Sequence, residues 1–236
     1  DVYKRQDASA FNGNGPCNPF IIMEFIQGQT LESFIKGKAK EMAETRLLVT
    51  KQTAEIAHAI SESLVYLHSR DLVHRDLKPA NIFLSKPTGN NIPSIIKLGD
   101  FGIVKWRDFK AAFSTGTLTT TGQAGLGTYK YMAPEQALEP KEVNPRTDMW
   151  AFGITLFELF TCQILPSPFH VIRLKDQRMQ RNTNALSRLY QLGYGVVETE
   201  YVDIFEKIYD MFLANSSRPS SRQMEARLRR LVESFN

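Results

Sequence analysis

A polar run in the first half of the chain brings together residue types that could handle a phosphoryl group. Residues 74–81 have the sequence His-Arg-Asp-Leu-Lys-Pro-Ala-Asn, and residues 100–102 are Asp-Phe-Gly. Magnesium prefers hard oxygen ligands, which Asn81 and Asp100 could supply while leaving coordination positions for phosphates. Asp76 could orient a hydroxyl and accept its proton, and Lys78 could neutralise charge on the transferring group. The run therefore predicts phosphoryl transfer from a nucleotide.

Five short motifs occur in an order that makes this prediction specific. Each is weak alone, since an isolated Asp-Phe-Gly is usually a turn and an isolated His-Arg-Asp is usually surface charge. The motifs are His-Arg-Asp-Leu-Lys at 74–78, Asp-Phe-Gly at 100–102, Ala-Pro-Glu at 133–135, Asp-Met-Trp-Ala-Phe-Gly at 148–153 and Arg-Pro-Ser at 218–220. Together they resemble the serine/threonine branch of the eukaryotic-type protein kinases, over most of the chain from about Phe20 onward.

The resemblance implies a fold and an activity. It implies an α+β fold, mainly α with a small β part, made of a kinase C-terminal lobe, a hinge and a remnant of the N-lobe sheet. The expected boundaries are 1–19 for a leader and N-lobe remnant and 20–236 for the kinase domain, with an activation segment at 100–135. The implied reaction transfers the γ-phosphoryl group of ATP, with Mg²⁺, to a Ser or Thr hydroxyl of a protein substrate.

The beginning of the chain matches the family poorly. A kinase domain of this type should begin with a glycine-rich loop, a strand lysine and a helix glutamate, and residues 1–19 contain no such pattern. Their Asn-Gly-Asn-Gly-Pro stretch is typical of a turn. We therefore expect a fragment with a leader of foreign origin, and we expect the 236-residue chain by itself to be inactive.

The resemblance assigns a role to each site residue. Catalysis falls to Asp76 and Lys78, and metal binding to Asn81 and Asp100. The nucleotide contacts are Met23 as gatekeeper, the backbone of Glu24 and Ile26, and the side chains of Thr30 and Phe83. The activation and regulatory residues are Arg75, Lys105, Thr119, Thr120, Thr121 and Thr128. The structural residues are His74, Phe101, Glu135, Asp148 and Arg218.

The activation segment is rich in Ser, Thr and Gly, which makes it too polar for a core. A phosphate on Thr119, Thr120 or Thr121 could order it through charge-assisted hydrogen bonds to Arg75 and Lys105. The alternative is that these threonines are ordinary linker composition. Lys78 after Asp76, with Thr128 in the segment, favours Ser or Thr as the phosphate acceptor.

Hydrophobic patterns predict the elements that position these residues. Residues 20–26 predict a buried strand that leads into the hinge, with Thr30 capping the next helix. Residues 53–69 predict an amphipathic helix, 82–84 and 95–98 predict two strands, and 222–235 predict a last helix. Residues 149–160 are apolar nearly all round, which predicts a helix buried on every side. The resemblance further implies that Asp148 hydrogen-bonds the catalytic-loop backbone and that Glu135 pairs with Arg218 in a buried ion pair.

Composition excludes several classes of protein. The 236 residues are 42% hydrophobic, enough for a packed core, and the net charge of 29 − 25 = +4 is too small to argue for nucleic acid. The two cysteines, Cys17 and Cys162, are typical of reduced thiols rather than a disulfide framework. The most apolar window is too short to span a bilayer and no secretory leader is visible, so we expect a cytoplasmic protein.

Two other functions remain open at this point. A non-catalytic scaffold could keep the kinase outline, although binding alone would not need Asp76, Lys78, Asn81 and Asp100 together. A small-molecule kinase of related architecture would keep the Asp and the Asn, but Ala-Pro-Glu at 133–135 argues against it.

Overall fold

The computed structural model describes residues 24–41, 49–85, 96–100, 130–138, 143–162, 204, 207–208, 210–211 and 215–235. Within them the chain is mainly helical with one small antiparallel sheet, which confirms the expected α+β class. The strands are β1 (Gly28–Thr30), β2 (Ile82–Ser85) and β3 (Ile96–Leu98). The helices are α1 (Leu31–Glu41), α2 (Lys51–His68), α3 (Pro134–Leu138), α4 (Pro145–Thr161) and α5 (Ser221–Glu233), with 3-10 turns at Pro79–Asn81 and Asn215–Ser217.

The sheet has β2 at its centre. Thr30 of β1 and Lys97 of β3 both lie opposite Phe83 in antiparallel pairings. β2 and β3 form where the sequence predicts them. The strand predicted at 20–26 is wrong over 24–26, which are irregular, and Phe25 is 85% exposed; residues 20–23 lie outside the described part. A strand needs a neighbour to bond with, and among residues 24–30 the pairing with β2 begins at Gly28, where a Cβ would collide with the backbone of Leu84.

Side-chain caps set where the helices begin. Thr30 accepts a hydrogen bond from the N–H of Ser33 at 3.1 Å, which is the cap predicted for α1. Thr50 and Thr53 form a reciprocal capping box, so α2 starts two residues before the predicted helix. Asn144 forms another box with Thr147 at the start of α4.

The core is built around α4. Every residue from Thr147 to Thr161 is buried, which confirms a helix enclosed on all sides. α2 turns the predicted stripe of Ile56, Ile60, Leu64 and Leu67 inward and packs against α4, α5 and β3. α5 buries Met224, Leu228 and Leu231 and leaves Arg222, Arg229 and Arg230 exposed, as predicted. The run 74–81, in which the sequence predicts catalytic residues, lies between α2 and β2, so elements of this core flank it on both sides.

Two glycines give opposite predictions for the same substitution. A Cβ at Gly99 would lie 2.6 Å from the Phe83 ring, whereas a Cβ at Gly37 on α1 would have none of the described atoms within 4 Å apart from its chain neighbours and the backbone of its own helix. Gly99→Ala should lower the free energy of unfolding by about 1–3 kcal/mol through overpacking. Gly37→Ala should raise it by about 0.5–1 kcal/mol because alanine favours the helix. Urea denaturation of both variants checks this, and adding Phe83→Leu should recover much of the loss at Gly99.

Candidate active site

Asp76, Lys78 and Asn81 form one hydrogen-bonded group. The Lys78 ammonium lies 3.2 Å from Oδ2 of Asp76 and 3.4 Å from Oδ1. The Asn81 amide donates to Oδ2 of Asp76 at 2.9 Å and to its backbone carbonyl at 2.8 Å. The 3-10 turn at 79–81 brings the amide back over the loop, and Asp76 and Asn81 are both buried. The Asp76 carboxylate is thus held in one orientation by a cation and an amide.

Asp100 stands beside this group through a backbone contact. The N–H of Gly99 donates to the carbonyl of Asn81 at 2.8 Å, and Asp100 follows with an exposed side chain and a left-handed φ of 51°. Because both hydrogens of the Asn81 amide point at Asp76, its Oδ1 faces the other way. The Asp100 carboxylate and the Asn81 amide oxygen are the kinds of donor that suit a hard divalent cation.

The buried carboxylate of Asp148 holds the loop from below. It is 1% exposed and accepts hydrogen bonds from the backbone N–H groups of His74 at 2.8 Å and Arg75 at 2.9 Å. Nε2 of His68 lies 3.0 Å from Oδ2, and since a carboxylate only accepts, this nitrogen carries a proton. Nδ1 of the same ring contacts the Ser221 hydroxyl at 3.0 Å, which joins the start of α5 to the site.

These contacts sustain an unusual backbone. Arg75 has a φ of 66°, a region that non-glycine residues rarely adopt. His74 is fully buried, and its Nδ1 accepts from the N–H of Asp76 at 3.3 Å. The left-handed backbone at Arg75 directs neighbouring side chains to different sides. The His74 side chain is buried in the core, whereas the Arg75 side chain is exposed at the surface.

The hinge-side residues lie along the sheet. The Glu24 side chain is exposed and pairs with Lys97 at 2.5 Å, and Ile26 is half-buried. Thr30 is used in the α1 cap. Phe83 is half-buried, with its ring against Gly99. Glu24, Thr30 and Phe83 thus lie on or beside the same small sheet, and their nucleotide contacts remain predictions.

Glu135 and Arg218 form a buried ion pair. Nη2 of Arg218 lies 2.9 Å from Oε2 of Glu135, and Thr147 and Asn215 donate to the other carboxylate oxygen at 3.0 and 2.8 Å. Burial alone would raise the pKa of Glu135. The hydrogen bonds and charge of Arg218 outweigh it, so the pKa lies below its ordinary value of 4.5. The pair ties α3 to the start of α4 and to the approach to α5.

A second cluster fastens the chain just before α3. Tyr131 donates to Glu158 of α4 at 2.7 Å, and the Lys130 ammonium contacts the other oxygen of the same carboxylate. Burial lowers the pKa of Lys130 to about 8, against the raising effect of Glu32. The lysine therefore remains mostly charged at neutral pH.

Several predicted residues cannot be placed. Met23, Phe101, Lys105, Thr119, Thr120, Thr121 and Thr128 lie outside the described residues. Sequence reasoning in turn missed Gln136, whose buried amide bridges α3 and the catalytic loop. It also missed the contacts of His68 with Asp148 and Ser221. Neither residue belongs to a recognisable short motif, so the sequence contains no signal for these contacts.

Comparison with known proteins identifies the family. The model of the protein kinase domain matches residues 11–229, almost the whole chain. The chain belongs to the protein kinase family. Its relatives among curated proteins are named as serine/threonine kinases, which supports that branch.

Three of these relatives come from bacteria. The chain is 34% identical to the serine/threonine-protein kinase PknB of Mycolicibacterium smegmatis over 63% of its own length and 20% of the relative's. It is 31% identical to PrkC of Bacillus subtilis over 72% of its length and 23% of the relative's. It is 33% identical to Pkn1 of Myxococcus xanthus over 62% and 18%, respectively. The chain thus aligns with about a fifth of each relative's length. Among the described helices, none combines the length and the apolar character needed to cross a membrane.

Breaking the ion pair on one side should be costly. Glu135→Gln leaves the Arg218 guanidinium buried without its counter-charge, and we expect the free energy of unfolding to fall by about 3–5 kcal/mol. Because the folded pKa of Glu135 is below its unfolded value, the pair's contribution should be complete above about pH 4.5 and lost as the pH falls through the folded pKa. Urea denaturation from pH 7 to pH 3 measures both effects.

Replacing both partners separates the pair from the packing around it. Glu135→Leu with Arg218→Met should recover much of the stability lost in Glu135→Gln, because no charge is then left buried. Equal stability of Glu135→Gln and the unaltered protein at pH 7 would contradict the assignment.

Proposed function

We propose that the protein containing this chain is an ATP-dependent serine/threonine protein kinase that transfers the γ-phosphoryl group to a hydroxyl of a protein substrate. The observation that supports this most directly is the hydrogen-bonded group of Asp76, Lys78 and Asn81, with Asp100 beside it. Binding alone does not require a buried carboxylate that is held by an ammonium and an amide. The arrangement therefore argues against a non-catalytic scaffold module.

Asp76 acts on the substrate hydroxyl. Lys78 and Asn81 fix its carboxylate, so it can accept a hydrogen bond from a Ser or Thr hydroxyl and take the proton as the oxygen attacks. The neighbouring Lys78 ammonium places positive charge where negative charge develops on the transferring group. Because these contacts already hold the Asp76 carboxylate, its contribution is mainly orientation.

Asn81 and Asp100 hold Mg²⁺ in this proposal. These two residues would hold the ion, which would supply positive charge to neutralise the phosphates of ATP. The exposed Asp100 carboxylate and the fixed Asn81 amide oxygen are hard ligands of the kind that magnesium prefers. The backbone of Glu24 and Ile26 would bind the adenine, with Met23, Thr30 and Phe83 around the nucleotide.

Regulation and location extend the same proposal. A phosphate on Thr119, Thr120 or Thr121 would bind Arg75 and Lys105, with Thr128 and Phe101 supporting the segment. Arg75 has an exposed side chain and a backbone fixed by Asp148, so it is suited to receive an anion.

The free thiol of Cys162 fits the reducing cytoplasm, where we place the reaction.

Asp76→Asn tests the proposed reaction. The amide keeps the shape of the side chain but cannot take a proton, so kcat should fall by roughly 10²–10⁴-fold. The measurement is phosphate transfer from labelled ATP to a library of Ser and Thr peptides by the protein translated from the complete reading frame. Asp210→Asn is the matched control, because Asp210 is partly exposed and, among the residues that the structure describes, forms its ion pair with the nearby Lys207.

Three outcomes of that assay are informative. Loss of transfer in Asp76→Asn alone supports the proposal. Undiminished transfer in that variant contradicts the role of Asp76. A preference for small sugars or antibiotics over peptides would contradict the protein substrate.

Asp100→Asn tests the metal site separately. Removing one anionic oxygen ligand should raise the Mg²⁺ concentration for half-maximal activity by roughly tenfold or more, since metal affinity depends on ligand charge. A titration of activity with Mg²⁺ at fixed ATP measures this. The same titration for the Asp210→Asn variant should match the unaltered protein, and an unchanged requirement in Asp100→Asn would refute the assignment.

A further inference from the structure

One buried side chain joins helix α3 to the catalytic loop. Oε1 of Gln136 accepts a hydrogen bond from the N–H of Ala133 at 3.0 Å, and its Nε2 donates to the backbone carbonyl of Arg75 at 2.9 Å. The side chain is 6% exposed. Both ends of one amide are therefore engaged with backbone groups, and the bond to Arg75 joins residues 61 positions apart in the chain.

The carbonyl that Gln136 binds belongs to the peptide unit between Arg75 and Asp76. The N–H of the same unit, which is that of Asp76, donates to Nδ1 of His74. A peptide unit is planar, so holding its carbonyl on one side and its N–H on the other fixes the orientation of the whole plane. A rotation of this plane that is not compensated by the neighbouring dihedral angles would turn the Asp76 side chain away from Lys78 and Asn81.

The backbone at this point has a reason to need external support. Arg75 adopts a left-handed φ of 66°, which is unfavourable for a residue with a Cβ. The peptide unit before Arg75 is held by Asp148, whose carboxylate accepts a hydrogen bond from the Arg75 N–H. On the other side of Arg75, the carbonyl of the next unit is held by Gln136. The two contacts therefore bracket the strained residue.

We propose that Gln136 is a positioning residue for phosphoryl transfer, whose amide fixes the Arg75–Asp76 peptide unit and so sets the direction of the Asp76 carboxylate. The inference rests on the function proposed above. It also gives the end of the activation segment a direct link to the catalytic loop that uses neither the Arg75 side chain nor a phosphate. The docking of α3 against the loop and the orientation of the Asp76 carboxylate are thereby coupled.

Two variants separate the two halves of the amide. Gln136→Leu removes both hydrogen bonds. Gln136→Glu keeps an acceptor for Ala133 but, when ionised, turns a carboxylate oxygen toward the Arg75 carbonyl, where two acceptors repel. Once protonated, the carboxyl can donate to Arg75 and restore both bonds, and burial favours that protonated form.

We expect kcat of Gln136→Leu to fall about tenfold, with KM for ATP within about twofold of the unaltered protein, because the hinge is not touched. For Gln136→Glu, the ratio of its kcat to that of the unaltered protein should rise several-fold as the pH falls from 8 to 6. For Gln136→Leu, the ratio should not change with pH. A general loss of folding would not produce this difference in pH dependence between the two variants. The Tm of each variant is measured first, and all assays are run well below it.

The matched control is Gln223→Glu. Gln223 also accepts a hydrogen bond from a backbone N–H, at Ser220, but it is exposed at the start of α5. The same chemical change there should leave kcat and its pH dependence unaltered. Normal kcat in Gln136→Leu, or a pH-independent ratio in Gln136→Glu, would overturn the proposal. Absence of phosphate transfer by the unaltered protein would instead overturn the proposed function and this inference with it.

Discussion

The site depends on one buried carboxylate. Asp148 sits at the start of the most enclosed helix and receives N–H donors from His74, Arg75 and His68. A buried charge is tolerated only when it is well hydrogen-bonded, so the loop must keep this conformation for the core to remain stable. The stability of the core and the geometry of the catalytic loop are therefore coupled through the same side chain. This coupling explains how a residue as strained as Arg75 persists.

Two polar clusters fix the chain segments around the site to helix α4. The Glu135–Arg218 pair braces α3 against α4 and the approach to α5, and Glu158 anchors Lys130 and Tyr131 from the other end of α4. Both clusters use α4 as their base, which suits a helix buried along its whole length. The chain around 130–136 is thus fixed at both ends relative to the loop that contains Asp76.

The sequence predicted the elements with strong periodicity and missed details that depend on distant neighbours. An apolar pattern marks the face of an element that must be buried, or every face in the case of α4. Such patterns predicted β2, β3, α2, α4 and α5. The strand expected at 20–26 fails over residues 24–26 because apolar character does not specify a hydrogen-bonding partner, whereas β1 forms where Gly28 allows close approach to β2. The hydrogen-bonded group of Asp76, Lys78 and Asn81 was predictable because the three residues are close along the chain, whereas their roles in catalysis stay predictions. The bridges made by Gln136 and His68 were not, since both connect segments far apart in sequence.

The ring of His68 touches Asp148 with one nitrogen and the first residue of α5 with the other. The carboxy-terminal helix therefore does more than cover apolar surface. If α5 peeled away, the histidine would lose its support and the carboxylate one of its donors, so the loop would loosen at the same moment. In amide hydrogen exchange, the N–H groups of His74 and Arg75 should accordingly open together with α5, as parts of a single foldon.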